Sequence, residues 1–288
     1  CIAPDTPGNA LSDPLPLLNP TSADYADGVI AFLDALGIGQ CLAYGFHTGA
    51  GTGMSLLQRH PGRVHFLLAD GYAVWTAAER AFFLKDYLPV VAPVWDGGHL
   101  TWLWSRMEEQ TVFFPWFDAR AAARMVYDVP PPQHVHENCL DVLLAWDAHH
   151  APYAAAFHRE GDKGLDAVTD AVLIAAHSDD PLAVHIKRLP ETRPANVRAE
   201  TRVLERGAML DWFAEELGQA ARRHDLPPAP PIRQSASRFY AAGLAVRAKA
   251  AGRGRPLVLL HDAGGSSALF AGAMQTMGRP VFALDLPG

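Results

Sequence analysis

The chain has 288 residues, 49% hydrophobic and 19% charged, which supplies enough apolar side chains for a sizeable core. Its formal net charge is −7, and no Lys/Arg cluster stands out, which argues against nucleic acid as a partner. No apolar run reaches the ~18 residues of a membrane-spanning helix, and three scattered cysteines, Cys1, Cys41 and Cys139, point to a reducing, cytoplasmic setting without a disulfide framework.

Ile2-Ala3 reads as the end of an apolar strand, turned by Pro4–Gly8. Thr21–Asp24 is a helix N-cap region, and Tyr25, Val29, Phe32, Leu33 and Leu36 follow at helical spacing until Gly37. Cys41–Tyr44 is a short strand, Gly45–Gly49 a sharp turn, Gly51–His60 a helix and Val64–Ala69 a buried strand. Strand, helix and strand at this spacing predict a parallel sheet covered by helices. Residues 77–160 hold five of the seven Trp and six of the 13 His, and read as an inserted helical lid. Ala171–Ala176 returns to a buried strand, Arg198–Val203 is a weaker one, and Ala208–Arg223 is an amphipathic helix. Asp225–Pro231 carries four Pro in seven residues and cannot continue that helix. Arg238–Ala250 reads as one or two strands, Pro256–Leu260 and Val281–Leu284 as further strands, and Leu269–Met277 as a helix.

The phrase I-A-P-D-T-P-G at Ile2–Gly8 returns as F-A-L-D-L-P-G at Phe282–Gly288, with its aspartates 280 positions apart. Together with a first residue that is Cys1 instead of Met, this suggests a window from two related domains in tandem. The D-x-P-G-x-x-x-S-D stretch at Asp5, Pro7, Gly8, Ser12 and Asp13 and the L-L-H-x-x-G-G-S stretch at Leu259–Ser266 give the order of parts a recognisable form. It resembles the α/β-hydrolase superfamily in permuted order. The resemblance implies residues 1–76 as the middle strands, 77–160 as the cap, and 161–224 as the last strands and helix. Residues 225–235 then form a linker, and 236–288 are the first strands of the next copy, possibly completing the same sheet. The implied fold class is a mainly parallel sheet with helices on both faces and a helical lid.

In that family the turn at Gly45–Gly49 is the nucleophile elbow, G-x-S-x-G, and here His47 stands for the serine. The acid maps to the His177–Pro181 loop, with Asp180 the better candidate and Asp70 the second. No histidine follows the Arg198–Val203 strand, so both the serine and the histidine of a standard triad are missing from their places. Backbone donors for an oxyanion map to Thr48 and Ala263. Phe46, His261, Trp95, Trp104 and Trp116 are candidates for a substrate pocket. His134-Val135-His136-Glu137 and Asp147-x-His149-His150 have metal-ligand types, and a strand-like H-x-H would put both rings on one face, but no third ligand has a diagnostic spacing, and neither a metal nor another cofactor is expected. The function implied is that of a hydrolase-like enzyme for a small, partly apolar substrate; the rival is a degenerate domain of the same fold that binds a ligand or partner chain. Nothing in the sequence sets the oligomeric state.

Overall fold

The computed structural model describes the chain apart from residues 11, 147, 225, 228–237, 242–243, 250–251, 264 and 286–288, and only the backbone of 206 and 238–241. Most of the expected linker, 225–235, lies outside the described residues, as does the closing L-P-G. The chain forms two compact units, Cys1–Ala229 and Pro230–Gly288.

The first unit is built on a four-stranded parallel sheet in the order β1 (Cys41–Phe46), β2 (Val64–Asp70), β3 (Ala171–His177), β4 (Val197–Arg202). Side chains alternate across it, so neighbouring residues of one strand feed two cores. Leu67, Ala69, Val172 and Ile174 pack with Ile30 and Leu33 of α1 (Ser22–Ala35) and Met54 and Leu57 of α2 (Thr48–Arg59). Phe66, Leu68, Leu173 and Ala175 pack on the other face with Met209, Trp212 and Phe213 of α7 (Arg206–Arg223). The helix before β1 starts where its sequence says it should: the Thr21 side chain accepts from the Asp24 amide, and the Asp24 carboxylate accepts from the Thr21 amide at 2.7 Å.

Between β2 and β3, which are direct neighbours, the chain makes its long excursion. It contains α3 (Ala77–Phe82), a π-helical turn at Phe83–Tyr87, α4 (Gly98–Val112), α5 (Pro132–Leu144) and α6 (His150–His158). Its core is aromatic: Phe83 stacks on Phe157 at 5.1 Å, and both touch Trp75.

Two expectations are corrected here. Residues 1–6 carry no strand; the D-x-P-G segment is a turn with Gly8 at φ +82°, its amide donating to the Asp13 carbonyl at 3.1 Å. No described strand lies beside Ile2-Ala3 to supply a ladder. His134 and His136 lie on α5, not on a strand, so two residues of separation turn them about 200° apart instead of onto one face. Among the described residues, no group of three or more His, Cys, Asp or Glu could hold a metal ion.

The second unit has its own four-stranded sheet, in the order β5 (Arg238–Ala241), β6 (Leu244–Lys249), β8 (Val281–Leu284), β7 (Leu257–Leu260), with α8 (Ala271–Thr276) between β7 and β8. The β5–β6 pair is an antiparallel hairpin, β6–β8 is antiparallel and β7–β8 parallel. The expectation that residues 236–288 complete the sheet of residues 1–76 is therefore corrected: the described strands of each set bond only within their own sheet. Inside this unit β6 and β8 are each paired on both sides, and β5 and β7 are the edge strands.

Candidate functional site

At the carboxyl end of β1 the backbone turns sharply into α2. His47 makes the turn at φ +47° and ψ −105°, outside the wells comfortable for a residue with a Cβ. The turn is pinned from both sides: the His47 amide donates to the Asp70 carbonyl at 2.8 Å, and its carbonyl accepts from the Gly51 amide at 3.2 Å. Gly45 has a steric reason to be glycine, since a Cβ there would stand 2.7 Å from the Ala50 nitrogen and closer still to Gly49. Gly49 has none; a Cβ would meet nothing within 4 Å, so only one of the two flanking glycines is demanded by space.

The His47 ring lies against Phe46, centroids 3.8 Å apart, and its Nε2 is 2.8 Å from Oδ2 of Asp180. The imidazole is 35% exposed and the carboxylate 10%, so the pair has one face toward solvent and a sheltered acid behind it. The other oxygen of Asp180 accepts from the Leu182 amide at 2.7 Å, which fixes the carboxylate plane. Because a carboxylate only accepts, Nε2 carries the shared proton and Nδ1 is left with its lone pair. The ring fits because residue 71 is glycine. Gly71 sits at φ +63°, and a Cβ would stand 2.7 Å from Nε2 of His47 and 3.4 Å from Oδ2 of Asp180.

Asp70, the second candidate acid, points elsewhere. Its carboxylate accepts from the Tyr44 hydroxyl at 2.9 Å, and only its backbone carbonyl reaches His47. Burial holds the Asp70 carboxyl above its ordinary range, opposed by the Tyr44 hydrogen bond, with Asp180 adding to the rise. Burial also raises Tyr44, and the Asp70 charge reinforces it.

A cavity of about 310 Å³ opens over His47. Phe46 and Thr48 line it, and Thr48 is the first residue of α2, whose amide has no acceptor one turn earlier within the helix. The aromatic wall is made by Trp75 and, from the excursion between β2 and β3, by Tyr87, Phe114, Tyr153 and Phe157. The expected tryptophans are not among them. Trp95 is fully exposed, Trp104 is partly exposed on α4, and Trp116 packs on Tyr87 with its indole N–H on the Tyr87 carbonyl at 3.1 Å. Ala263 and His261 belong to the second unit, and the cavity is built from the first unit alone. Where a triad histidine was sought after β4, the Leu204 carbonyl instead meets Nε2 of His177 at 2.6 Å.

Sequence reasoning missed Gly71, Trp75 and Arg159, the cation of the cavity wall. The Asp70-Gly71 step at the end of a buried strand was a usable signal for the first. Nothing in the sequence signalled which rings face inward.

No family model matches the chain, and no curated protein matches it. Solved structures do. A carboxylesterase structure from Nitrososphaera gargenis aligns at 16% identity over 76% of this chain and 79% of its own, with a TM-score of 0.57. Epoxide hydrolase A from Mycobacterium thermoresistibile aligns at 13% identity over 77% and 82%, with a TM-score of 0.54. At such identities the likeness speaks for the fold alone, and that fold is the α/β-hydrolase fold.

Proposed function

We propose that the first unit is a hydrolase for a small, partly apolar substrate and that His47 and Asp180 form its working pair. The observation that carries this reading is the 2.8 Å contact between Nε2 and Oδ2 at a strained elbow that opens into an apolar cavity. Strained backbone held by surrounding structure is a mark of working sites. An imidazole whose far nitrogen is tied to a carboxylate is oriented as a base and stabilised once charged.

Residue 47, at the tip of the elbow, carries no hydroxyl or thiol, so in this reading water is the nucleophile. Nδ1 of His47 takes a proton from water as the oxygen bonds to the substrate carbonyl carbon. The electron pair of the C=O bond moves onto oxygen, which the Thr48 amide stabilises by donating to it. The intermediate collapses by breaking the bond to the leaving group, which takes the proton back from Nδ1. Trp75, Tyr87, Phe114 and Phe157 supply the apolar surface for the acyl part.

The test is a panel of p-nitrophenyl esters with short and aromatic acyl groups. His47→Ala should lower kcat/KM by about 10²-fold or more and Asp180→Asn by a similar order, in protein that remains folded at the assay temperature. The rival reading, a ligand-binding domain without turnover, is favoured by one observation: residue 47 cannot form a serine-type acyl intermediate. Unchanged turnover in His47→Ala would remove His47 from the mechanism, and no turnover of any ester by the wild type would favour that rival.

A further inference from the structure

We propose that a second cavity, walled by Arg106, is a carboxylate-binding subsite, and that the molecule processed at His47 carries its carboxylate there. Arg106 stands on α4 and is only 8% exposed. Its Nη1 donates to Oε1 of Gln110 at 2.7 Å, and its guanidinium lies over the rings of Tyr87 at 5.6 Å and Trp116 at 5.3 Å. Among the described residues it has no carboxylate partner, whereas Arg59, Arg63, Arg188 and Arg198 each hold one. A buried guanidinium without a counter-ion is costly, and aromatic faces offset only part of that cost. Its nitrogens are not sealed off either: the buried side-chain nitrogens left without a partner among the described residues belong to Arg193 and Arg247. The donors that Gln110 does not use therefore border the cavity, and their planar fork matches a carboxylate.

This cavity measures about 200 Å³, and its walls are chiefly Leu88, Trp102, Leu103, Met107 and Trp146. Three other titratable groups among the described residues face it: Asp141, His149 and the phenol of Tyr153. Asp141 is exposed at the rim, where water screens it. His149 has its Nδ1 on the Trp146 carbonyl at 2.9 Å, and burial lowers its pKa, so it is neutral near pH 7. Arg106 is thus the fixed cation of this wall. Gln110 and Tyr153 line both this cavity and the one over His47. A chain anchored on Arg106 therefore runs past them toward the elbow. Arg159, the cation of the His47 cavity, is already committed: it donates to the Tyr72 hydroxyl and to Ser55 Oγ at 3.3 Å, and lies over the Tyr72 ring at 4.9 Å.

Carboxylate binding stands by itself; only the identity of the bound molecule as substrate rests on the reading of His47. The experiment titrates the chain with 4-phenylbutyrate and with its neutral isostere 4-phenylbutyramide, following tryptophan fluorescence. The carboxylate should bind at least about 10-fold more tightly than the amide, and added salt should narrow the gap. Arg106→Met should abolish the preference, while Arg159→Gln and His47→Ala keep it. Equal binding by the wild type overturns the proposal, as does a preference that survives Arg106→Met or disappears in Arg159→Gln. Should Arg106→Met fail to fold, the wild-type comparison and Arg159→Gln decide alone. A retained preference in His47→Ala with undiminished turnover would sink the catalytic reading and leave the subsite standing.

Discussion

Replacing Gly71 by alanine tests the site without requiring a substrate. Two costs arise. The backbone at φ +63° is strained for any residue with a Cβ, by about 1–2 kcal/mol. The new methyl would also overlap the His47 ring, standing 2.7 Å from its Nε2, where ordinary contact begins near 3.4 Å. The ring must swing away, and the hydrogen bond to Asp180 breaks with it, at about 1.5–3 kcal/mol for a bond to a charged group. The sum is about 2.5–5 kcal/mol. Gly62→Ala is the control, since Gly62 has φ +77° but nothing within 4 Å of its would-be Cβ. It should lose only the backbone part. Urea unfolding of both variants gives the difference, expected at about 1.5–3 kcal/mol. Equal destabilisation of the two would mean that the His47–Asp180 contact contributes nothing, and the argument from geometry would fail.

Other consequences can be checked alongside. His185 is 3% exposed, and its Nδ1 accepts from the Val74 amide at 2.9 Å; burial, with help from Arg188, pushes its pKa down to about 4 from 6.5. A depressed histidine takes up its proton more readily in the unfolded chain, so this contribution is lost as pH falls from about 6.5 toward 4, to a total of about 3 kcal/mol. Stability measured in urea at pH 7 and pH 4 should show that much less loss in His185→Gln than in wild type; identical slopes would refute it. Leu173 is fully buried at the centre of the sheet against Phe66 and α7, so Leu173→Ala should cost about 2–5 kcal/mol. Leu210→Ala, on the exposed side of α7 at 58%, should change stability by less than about 0.5 kcal/mol in the same assay.

The parts of this fold that were legible in the sequence are those governed by local rules. Strands β2 and β3 stand where apolar runs predict them, because a strand buried on both faces needs no alternation to be recognised, whereas β4, V-R-A-E-T-R, is half charged and gives the weaker signal. The start of α1 follows from Thr21 and Asp24 alone. The elbow was legible because Gly45 must be small where the helix crosses the strand end. Asp180 came from the family resemblance, which sets the acid in the loop after β3, and it is the carboxylate that meets His47 at 2.8 Å. What failed depended on partners distant in sequence. The strand expected at Ile2-Ala3 and the single sheet expected for both ends of the chain each needed a neighbour that local pattern cannot supply. The cavity wall failed for a related reason: Trp95 and Trp75 are equally apolar in sequence, yet one is in solvent and the other 7% exposed beside His185. The His134/His136 pair failed because the period was taken as that of a strand, whereas Pro132 at the first helical position signals a helix start.

The absence of a second histidine looked, in the sequence, like a defect of the site. The geometry gives it another meaning. In a serine triad the acid bonds to an imidazole, and that imidazole bonds to the elbow hydroxyl. Here the elbow residue is itself the imidazole, and it reaches the acid directly at 2.8 Å. A histidine after β4 would have no work left to do, and none is found in Val203–Arg206. The same substitution removes the covalent nucleophile, so the two departures belong together. If water is the nucleophile, no acyl-enzyme accumulates, and the first turnover is no faster than the next. Stopped-flow release of p-nitrophenolate from an ester substrate should then be linear from the first turnover, and hydroxylamine should not divert the product. A rapid burst approaching one equivalent per chain would show instead that Nδ1 of His47 attacks the carbonyl and that an acyl-imidazole precedes water. Such a burst would refute the general-base route while keeping His47 at the centre of the chemistry.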